Sequence, residues 1–228
     1  MSNGDSSERM PIAFHRRRLL QGSALLAGGA ASLGSPLRSL AAGVAPEHLN
    51  QWLALLQATP VSVADYAPVA LKTDEYATLT AAVGRIIPTD DLGPGAADAG
   101  VQVFIDRSLK GPNAALLPVY QGGLAALDKA AGSGGFAAAA ADTQDEILTD
   151  AEADKLDGAP KGFFALLLEH TRQGMFGDPV YGGNANFAGW DLIGYPGIKL
   201  TWSADEQKFD AKVTPEHTSV AKYGGKSW

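Results

Sequence analysis

The chain has 228 residues, of which 46% are hydrophobic and 19% are charged, and this balance suits a single globular domain with a sizeable core. The formal net charge of −7 argues against nucleic acid or anionic lipid as a partner, because both are themselves negatively charged. The sequence contains no cysteine, which excludes disulfides, thiolate metal sites, iron–sulfur clusters and covalently attached c-type haem.

Residues 1–41 are typical of an export signal. A cluster of arginines precedes a short, weakly apolar run of mostly alanine, glycine and leucine, and a small-residue exit follows it. An arginine pair followed by two leucines fits the twin-arginine pattern, and the four residues are Arg16, Arg17, Leu19 and Leu20. Retention of the segment as a membrane anchor is the alternative, but glycine and proline interrupt an apolar run that is short for a bilayer.

The type of signal also carries information about function. Twin-arginine signals are used by proteins that fold, often with a cofactor, before they cross the membrane. We therefore expect the chain either to bind something in the cytoplasm or to travel with a partner that does. The twin-arginine translocase would then deliver it to the periplasm.

The remainder of the chain predicts a mainly helical domain. Apolar residues recur at helical spacing, between capping and breaking residues, in six stretches: 46–57, 73–87, 98–110, 113–130, 143–156 and 160–173. The fourth stretch has an early Pro118 in its first turns, and Thr143 with Glu146 fits a capping box that opens the fifth. We assign residues 42–71 to an N-terminal helix and linker, 72–207 to a compact helical domain and 208–228 to a poorly ordered polar tail.

Residues 175–197, MFGDPVYGGNANFAGWDLIGYPG, differ from the rest of the domain because glycine, proline and aromatic rings are concentrated there. This glycine-aromatic segment predicts a long loop whose shape comes from turns held by the surrounding domain. A small β-hairpin is predicted near residues 195–202.

Motifs for catalysis or cofactor binding are missing from the sequence. There is no Gly-x-Ser-x-Gly elbow, and no Gly-x-Gly-x-x-Gly follows a strand, so neither a serine nucleophile nor a flavin or nicotinamide fold is encoded. Asp90 and Asp91 lack the further oxygen ligands of a calcium loop and predict a solvated turn. His170 shares a helix face with Phe163 and Leu167, which favours a hydrogen-bonded core histidine over a metal ligand. We predict no catalytic residue, cofactor or metal on this chain.

Two stretches, RIIPTDDLGPGAADAGVQVFIDRSL at 85–109 and HTRQGMFGDPVYGGNANFAGWDLIGYPG at 170–197, together with the arginine-pair signal, closely resemble the gluconate 2-dehydrogenase subunit 3 family. The resemblance covers most of residues 72–200. It implies a small subunit without a catalytic centre that carries the export signal for a folded partner. That partner is an FAD-dependent large subunit of the glucose-methanol-choline type, and a cytochrome c subunit passes its electrons to quinone. FAD and haem c would therefore lie on partner subunits, and the complex would be periplasmic and peripherally bound to the inner membrane.

Within this framework the glycine-aromatic segment is a candidate surface for the partner, because aromatic residues on stiff backbone dominate interface energies. The predicted partner-binding residues are Phe176, Asp178, Pro179, Tyr181, Asn184, Trp190 and Tyr195. An equally weighted interpretation is that Tyr181 and Trp190 fill the domain's own core while Asp178 and Asn184 bond local backbone amides.

Two other classes of function remain as alternatives. A stand-alone, cofactor-free enzyme would have to use side chains such as Asp90, His170, Asp178 and Tyr181. A solitary periplasmic sugar-binding module is the other, and saturable binding of sugar by the chain alone would identify it.

Overall fold

The computed structural model describes residues 63–222, and this part of the chain contains six α-helices and no β-strand. The helices are α1 (Thr73–Ile86), α2 (Val101–Lys110), α3 (Leu117–Ala131), α4 (Ala141–Glu152), α5 (Phe163–Phe176) and α6 (Ala188–Ile193). Helix α5 contacts each of the other helices, and α1 contacts α2, α3, α4 and α5. The predicted mainly helical class is confirmed.

The core lies where the apolar stripes of these helices meet. The largest fully buried side chains come from five helices and from the turn before α4: Leu79, Val83, Ile105, Leu109, Tyr120, Leu124, Leu127, Phe136, Leu148, Phe163, Leu167 and Met175. Helices α3 and α5 approach closely because Gly123 leaves room for the ring of Phe163, which would lie 2.2 Å from a Cβ atom at that position.

The starts of helices α2 and α4 differ from the sequence prediction for identifiable reasons. Helix α2 begins at Val101, because Gly100 lies in the left-handed region at φ 73° and ends a turn in residues 95–100. Helix α4 begins at Ala141 and ends at Glu152, so the predicted capping box at Thr143 lies inside the helix. The structural start is Ala140, whose extended backbone places its carbonyl oxygen 2.9 Å from the Gln144 amide.

The other predicted elements have different outcomes. Helix α1 falls in its predicted stretch, and Pro118 lies in the first turn of α3 as expected. Helix α3 begins at Leu117, four residues after the predicted start, and α5 begins at Phe163 and continues to Phe176, three residues beyond the predicted end. The predicted helix at 46–57 and the export signal lie outside the described residues. Residues 195–202 form no hairpin in the described structure; instead Ile198 donates to the Thr218 carbonyl at 2.9 Å and Glu216 donates to the Pro196 carbonyl at 2.8 Å.

A buried carboxylate fixes the chain that leads into α1. Asp106 of α2 is fully buried, and it accepts hydrogen bonds from the Tyr66 hydroxyl at 2.6 Å and from three successive backbone amides. Those amides belong to Val69, Ala70 and Leu71. Four donors compensate the loss of hydration of the carboxylate, so residues 66–71 are held against α2.

Candidate interaction surface

The glycine-aromatic segment folds back along the last turn of α5 and includes two 3-10 turns and the short helix α6. Its glycines are needed where backbone touches backbone. A Cβ atom on Gly183 would lie 2.2 Å from the Gly174 carbonyl oxygen, and one on Gly189 would lie 1.8 Å from the Met175 carbonyl oxygen. Both separations are far below van der Waals contact, so any side chain at either position would push the segment away from α5.

Asn184 fastens the middle of this segment from inside. Its side chain is fully buried, its Nδ2 donates to the Gly177 carbonyl at 2.8 Å, and its Oδ1 accepts from the Gly189 amide at 2.8 Å. Its backbone lies in the left-handed region at φ 50°, which asparagine tolerates better than most residues. Asn184 therefore bonds local backbone, as the second interpretation of the sequence expected.

Trp190 of α6 also points into the domain. Only 4% of the residue is exposed, and its indole Nε1 donates to the Phe176 carbonyl at 2.9 Å. That bond satisfies one of the carbonyl groups left open at the end of α5. The Tyr195 ring packs edge-on against the indole, with 4.8 Å between the ring centroids. The Phe187 ring is tilted relative to the indole, and their centroids are 5.3 Å apart.

Asp178 joins this segment to the end of the described chain. Its carboxylate accepts from the Val180 amide at 3.0 Å, which caps the 3-10 turn Pro179–Tyr181, and also from the Ser219 hydroxyl at 2.5 Å and the Val220 amide at 2.7 Å. The predicted tail thus contributes ordered contacts to the domain. We call residues 216–220 the C-terminal strap.

The strap crosses the glycine-aromatic segment through several contacts. The His217 ring stacks on Phe187 at 4.7 Å with planes 2° apart, and its Nε2 lies 2.6 Å from the Asp191 carboxylate. Thr218 is buried, and its backbone packs directly against Gly197. A Cβ atom at position 197 would lie only 2.8 Å from the Thr218 nitrogen. The prediction of a poorly ordered tail therefore does not hold for residues 216–220, because these local and aromatic contacts hold them in place.

A cluster of ion pairs joins Lys199 to Glu206 and to Glu216, the first residue of the strap. The Lys199 side chain, only 8% exposed, binds the carboxylates of Glu206 at 2.5 Å and Glu216 at 2.8 Å. Hydrogen bonds from Lys199 and Ser203 lower the pKa of Glu206 to about 2. Residues 199, 206 and 216 are thus tied together.

The seven predicted partner-binding residues divide by exposure. Asn184 and Trp190 are buried in the chain's own structure, Tyr195 is 39% exposed, and the remaining four, Phe176, Asp178, Pro179 and Tyr181, are half-buried. Other large apolar side chains are exposed farther along the same part of the chain: Ile193, Leu200, Trp202, Phe209 and Val220. Sequence reasoning did not select these, because exposure depends on how the strap turns back.

A groove of about 680 Å³ opens beside the segment, between α2 and α5. It is lined by Phe104, Ser108, Pro112, Asn113, Glu169, Arg172, Gln173, Phe176, Gly177 and Tyr181. Phe176 and Tyr181 are therefore shared between the groove and the predicted partner surface.

The residues named for a stand-alone enzyme have local structural partners. His170 is buried in the core, stacked on Tyr120, with its Nδ1 2.9 Å from the Tyr120 hydroxyl. Burial raises the pKa of Tyr120 and lowers that of His170, so the pair is neutral. The predicted hydrogen-bonded core histidine is confirmed. Asp90 closes a tight turn with Gly93, and the predicted solvated turn is confirmed as well.

Residues 63–222 contain neither a candidate metal site nor a helix able to span a membrane. Within 63–222, no three histidine, aspartate or glutamate side chains are grouped so that they could hold a metal ion. No helix in that range has the length and apolar character needed to cross a membrane.

Comparison with known protein families shows to which family the chain belongs. The family described as gluconate 2-dehydrogenase subunit 3 matches residues 73–197, more than half of the chain. The chain belongs to this family. Among curated proteins and among solved structures, no match was found.

The residues that match the gluconate 2-dehydrogenase subunit 3 family can be located in the structure. Its name describes one subunit of a multi-subunit enzyme. The matched range begins with α1 and ends at Gly197, so it includes the six helices and the whole glycine-aromatic segment. The exposed apolar residues Leu200, Trp202, Phe209 and Val220, like the strap, lie beyond the matched range.

Proposed function

We propose that this protein is the non-catalytic small subunit of a gluconate 2-dehydrogenase-like complex, and that it escorts, exports and stabilises an FAD-dependent large subunit. The large subunit oxidises a sugar, sugar acid or polyol, and a cytochrome c subunit passes the electrons to quinone. The observation that carries the proposal is the family match over residues 73–197. The arginine-pair signal supports the export role, because it fits passage of a prefolded complex to the periplasm.

The surface of the described domain supports a role in assembly. Five large apolar side chains lie exposed between Ile193 and Phe209, and they are available for contact with a protein partner. They are Ile193, Tyr195, Leu200, Trp202 and Phe209. In this proposal Tyr195 and the half-buried Phe176, Asp178, Pro179 and Tyr181 contact the large subunit directly. Asn184 and Trp190 contribute by holding the segment in shape.

Export of the large subunit tests the escort role. Replacing both Arg16 and Arg17 with lysine removes the arginine pair while keeping the charge, and we expect the large subunit to remain in the cytoplasm. Immunoblots of periplasmic and cytoplasmic fractions measure this. The matched control replaces Arg9 and Arg38 with lysine and should export normally. Normal export of the large subunit with the Arg16 and Arg17 variant would contradict the escort role.

Composition of the purified complex tests the partner assignment. Gentle purification through a C-terminal tag should recover a larger chain in equal amount with a flavin absorption spectrum, and haem bands where the cytochrome stays bound. A colourless single chain would contradict the subunit role. Saturable sugar binding by that chain would then favour the sugar-binding module.

A further inference from the structure

The groove between α2 and α5 combines an apolar lining with Arg172, whose Nε has no hydrogen-bond partner among residues 63–222. Rings and a proline form its apolar walls, contributed by Phe104, Pro112, Phe176 and Tyr181. The polar lining comes from Ser108, Asn113, Glu169, Arg172 and Gln173. Arg172 and Glu169 are the charged residues of this lining, both on α5.

Arg172 differs from Arg85 of α1 in its hydrogen bonds. Its Nε is buried and has no hydrogen-bond partner among residues 63–222, and none of the ion pairs in that range includes it. Arg85, by contrast, binds both carboxylate oxygens of Asp145 at 2.7 and 2.5 Å. A guanidinium stays charged, so a buried N–H without an acceptor is unfavourable until something supplies one.

The remaining charge of the groove does not fill that role. Glu169 is exposed, and its Oε1 accepts a hydrogen bond from the side-chain Nε2 of Gln173 at 3.0 Å. The Nε–H of Arg172 therefore still lacks an acceptor, and this favours an acceptor supplied by a bound partner. The planar fork of arginine matches a carboxylate through two parallel hydrogen bonds, and the adjoining rings suit apolar side chains.

We propose that this groove binds a segment of the large subunit in which a carboxylate lies beside apolar side chains, and that Arg172 binds that carboxylate. The inference rests on the proposed function and adds the surface and the chemistry of recognition. A polypeptide occupant is favoured because the groove shares Phe176 and Tyr181 with the segment that runs toward the exposed apolar residues. One partner surface would therefore be continuous from α2 to Tyr195.

Charge removal and steric blocking give two independent variants. Arg172→Gln removes the charge, and Gln173→Trp fills the groove from an exposed position without touching the core. Loss of a charged partner in a desolvated pair weakens binding by about 30-fold or more. We expect that loss for both variants, measured as dissociation of the large subunit from the full-length tagged chain. Lys161→Gln and Glu146→Trp, at exposed positions away from the groove, are the matched controls.

A photo-crosslinking residue in place of Gln173, in the intact complex, identifies the occupant. We expect a crosslinked peptide of the large subunit that contains aspartate, glutamate or a chain end. A crosslink to residues 42–62 of the same chain would overturn the proposal, because the occupant would be intramolecular. Unchanged binding by Arg172→Gln and Gln173→Trp would overturn it too.

The outcomes separate failure of this inference from failure of the proposed function. If the unaltered chain retains the large subunit while the groove variants retain it equally well, only the groove assignment fails. If the unaltered chain retains no large subunit, the subunit role fails and the groove assignment falls with it.

Discussion

At the scale of single residues, buried polar groups decide how the chain leading into α1 and the centre of the core are fixed. Asp106 accepts from one hydroxyl and three backbone amides that lie 35 to 40 residues before it. His170 and Tyr120 satisfy each other between α5 and α3. Each group depends on a partner far away in the sequence, so its loss leaves an unpaired polar atom inside the domain.

Asp106→Asn should destabilise the domain. An amide nitrogen in place of one carboxylate oxygen would face donors instead of accepting from them, at a cost of about 3 kcal/mol in the free energy of unfolding. Urea denaturation measures the change. Asp91→Asn, in an exposed turn, is the control and should leave the midpoint nearly unchanged. An unaltered midpoint for Asp106→Asn would mean that residues 66–71 contribute little to stability.

His170 should make the stability depend on pH. Its pKa is lowered from 6.5 by burial, so the unfolded chain binds the proton more readily than the folded one. The stability it supports is complete above pH 6.5 and is lost as the pH falls toward the lowered value. We expect His170→Gln to flatten the decline in unfolding free energy between about pH 7.5 and pH 5.5. A decline that is equally steep in the His170→Gln chain would contradict this assignment.

At the scale of elements, the glycine-aromatic segment behaves as a cover for the end of α5. Gly183 and Gly189 allow its backbone to touch that helix, and Asn184 and Trp190 bond to carbonyl groups near the helix end. Close packing of this kind leaves little space for added atoms, so small changes should be costly.

Gly189→Ala should be far more harmful than the same change in a helix with space around it. Its Cβ atom would overlap the Met175 carbonyl, and the segment would have to move at a cost of about 3 kcal/mol. Gly84→Ala in α1 is the control, because its nearest neighbour would be the Ala97 Cβ at 3.4 Å and alanine favours helices. Thermal unfolding of both variants compares them directly; equal midpoints would contradict the packing argument.

Trp190→Ala tests whether this residue belongs to the core. Removing a buried indole and its hydrogen bond to Phe176 should lower the stability of the isolated chain by about 3–5 kcal/mol. Tyr195→Ala, at a 39% exposed position, should instead weaken binding of the large subunit with a smaller effect on folding. An isolated Trp190→Ala chain of full stability would move Trp190 to the partner surface.

Sequence patterns predicted the elements whose signals are local. The apolar spacing of α1, α3 and α5 is set by residues within each helix, so these could be located without the structure. The predicted start of α4 at residue 143 was wrong because the helix begins two residues earlier, after the extended backbone of Ala140, whose carbonyl accepts from the Gln144 backbone amide at 2.9 Å. Helix α6 was missed because glycines flank and interrupt it while contacts with α5 hold it.

The candidate site was only partly open to prediction for the same reason. Glycine, asparagine and aromatic residues marked the segment, but which of them are buried depends on its contact with α5. Asp106 and Arg172 gave no signal, because the donors around one and the groove around the other come from separate parts of the chain.

At the scale of the whole molecule, the strap packs back on the glycine-aromatic segment, which precedes it in the chain. Asp178 bonds Ser219 and Val220, which follow it by 41 and 42 residues, and His217 covers Phe187. Residues 178–197 are therefore held between α5 on one side and the strap on the other.

A chain that ends at residue 215 should lose this restraint. The contacts of His217, Thr218, Ser219 and Val220 disappear, so backbone amides in residues 178–198 should exchange hydrogen with solvent about tenfold faster or more. Hydrogen exchange read by mass spectrometry measures the change. A chain that ends at residue 222 keeps every described contact and is the control. Unchanged exchange in the shorter chain would show that α5 alone holds the segment.

The order of the segment and the strap along the chain also sets the order in which they can form. A ribosome makes residues 178–197 before residues 216–220, so the strap can close over the segment only after residue 220 has been made. A prematurely ended chain would carry the helices of the domain but an open segment. Closure of the strap is thus a physical record that translation has passed residue 220.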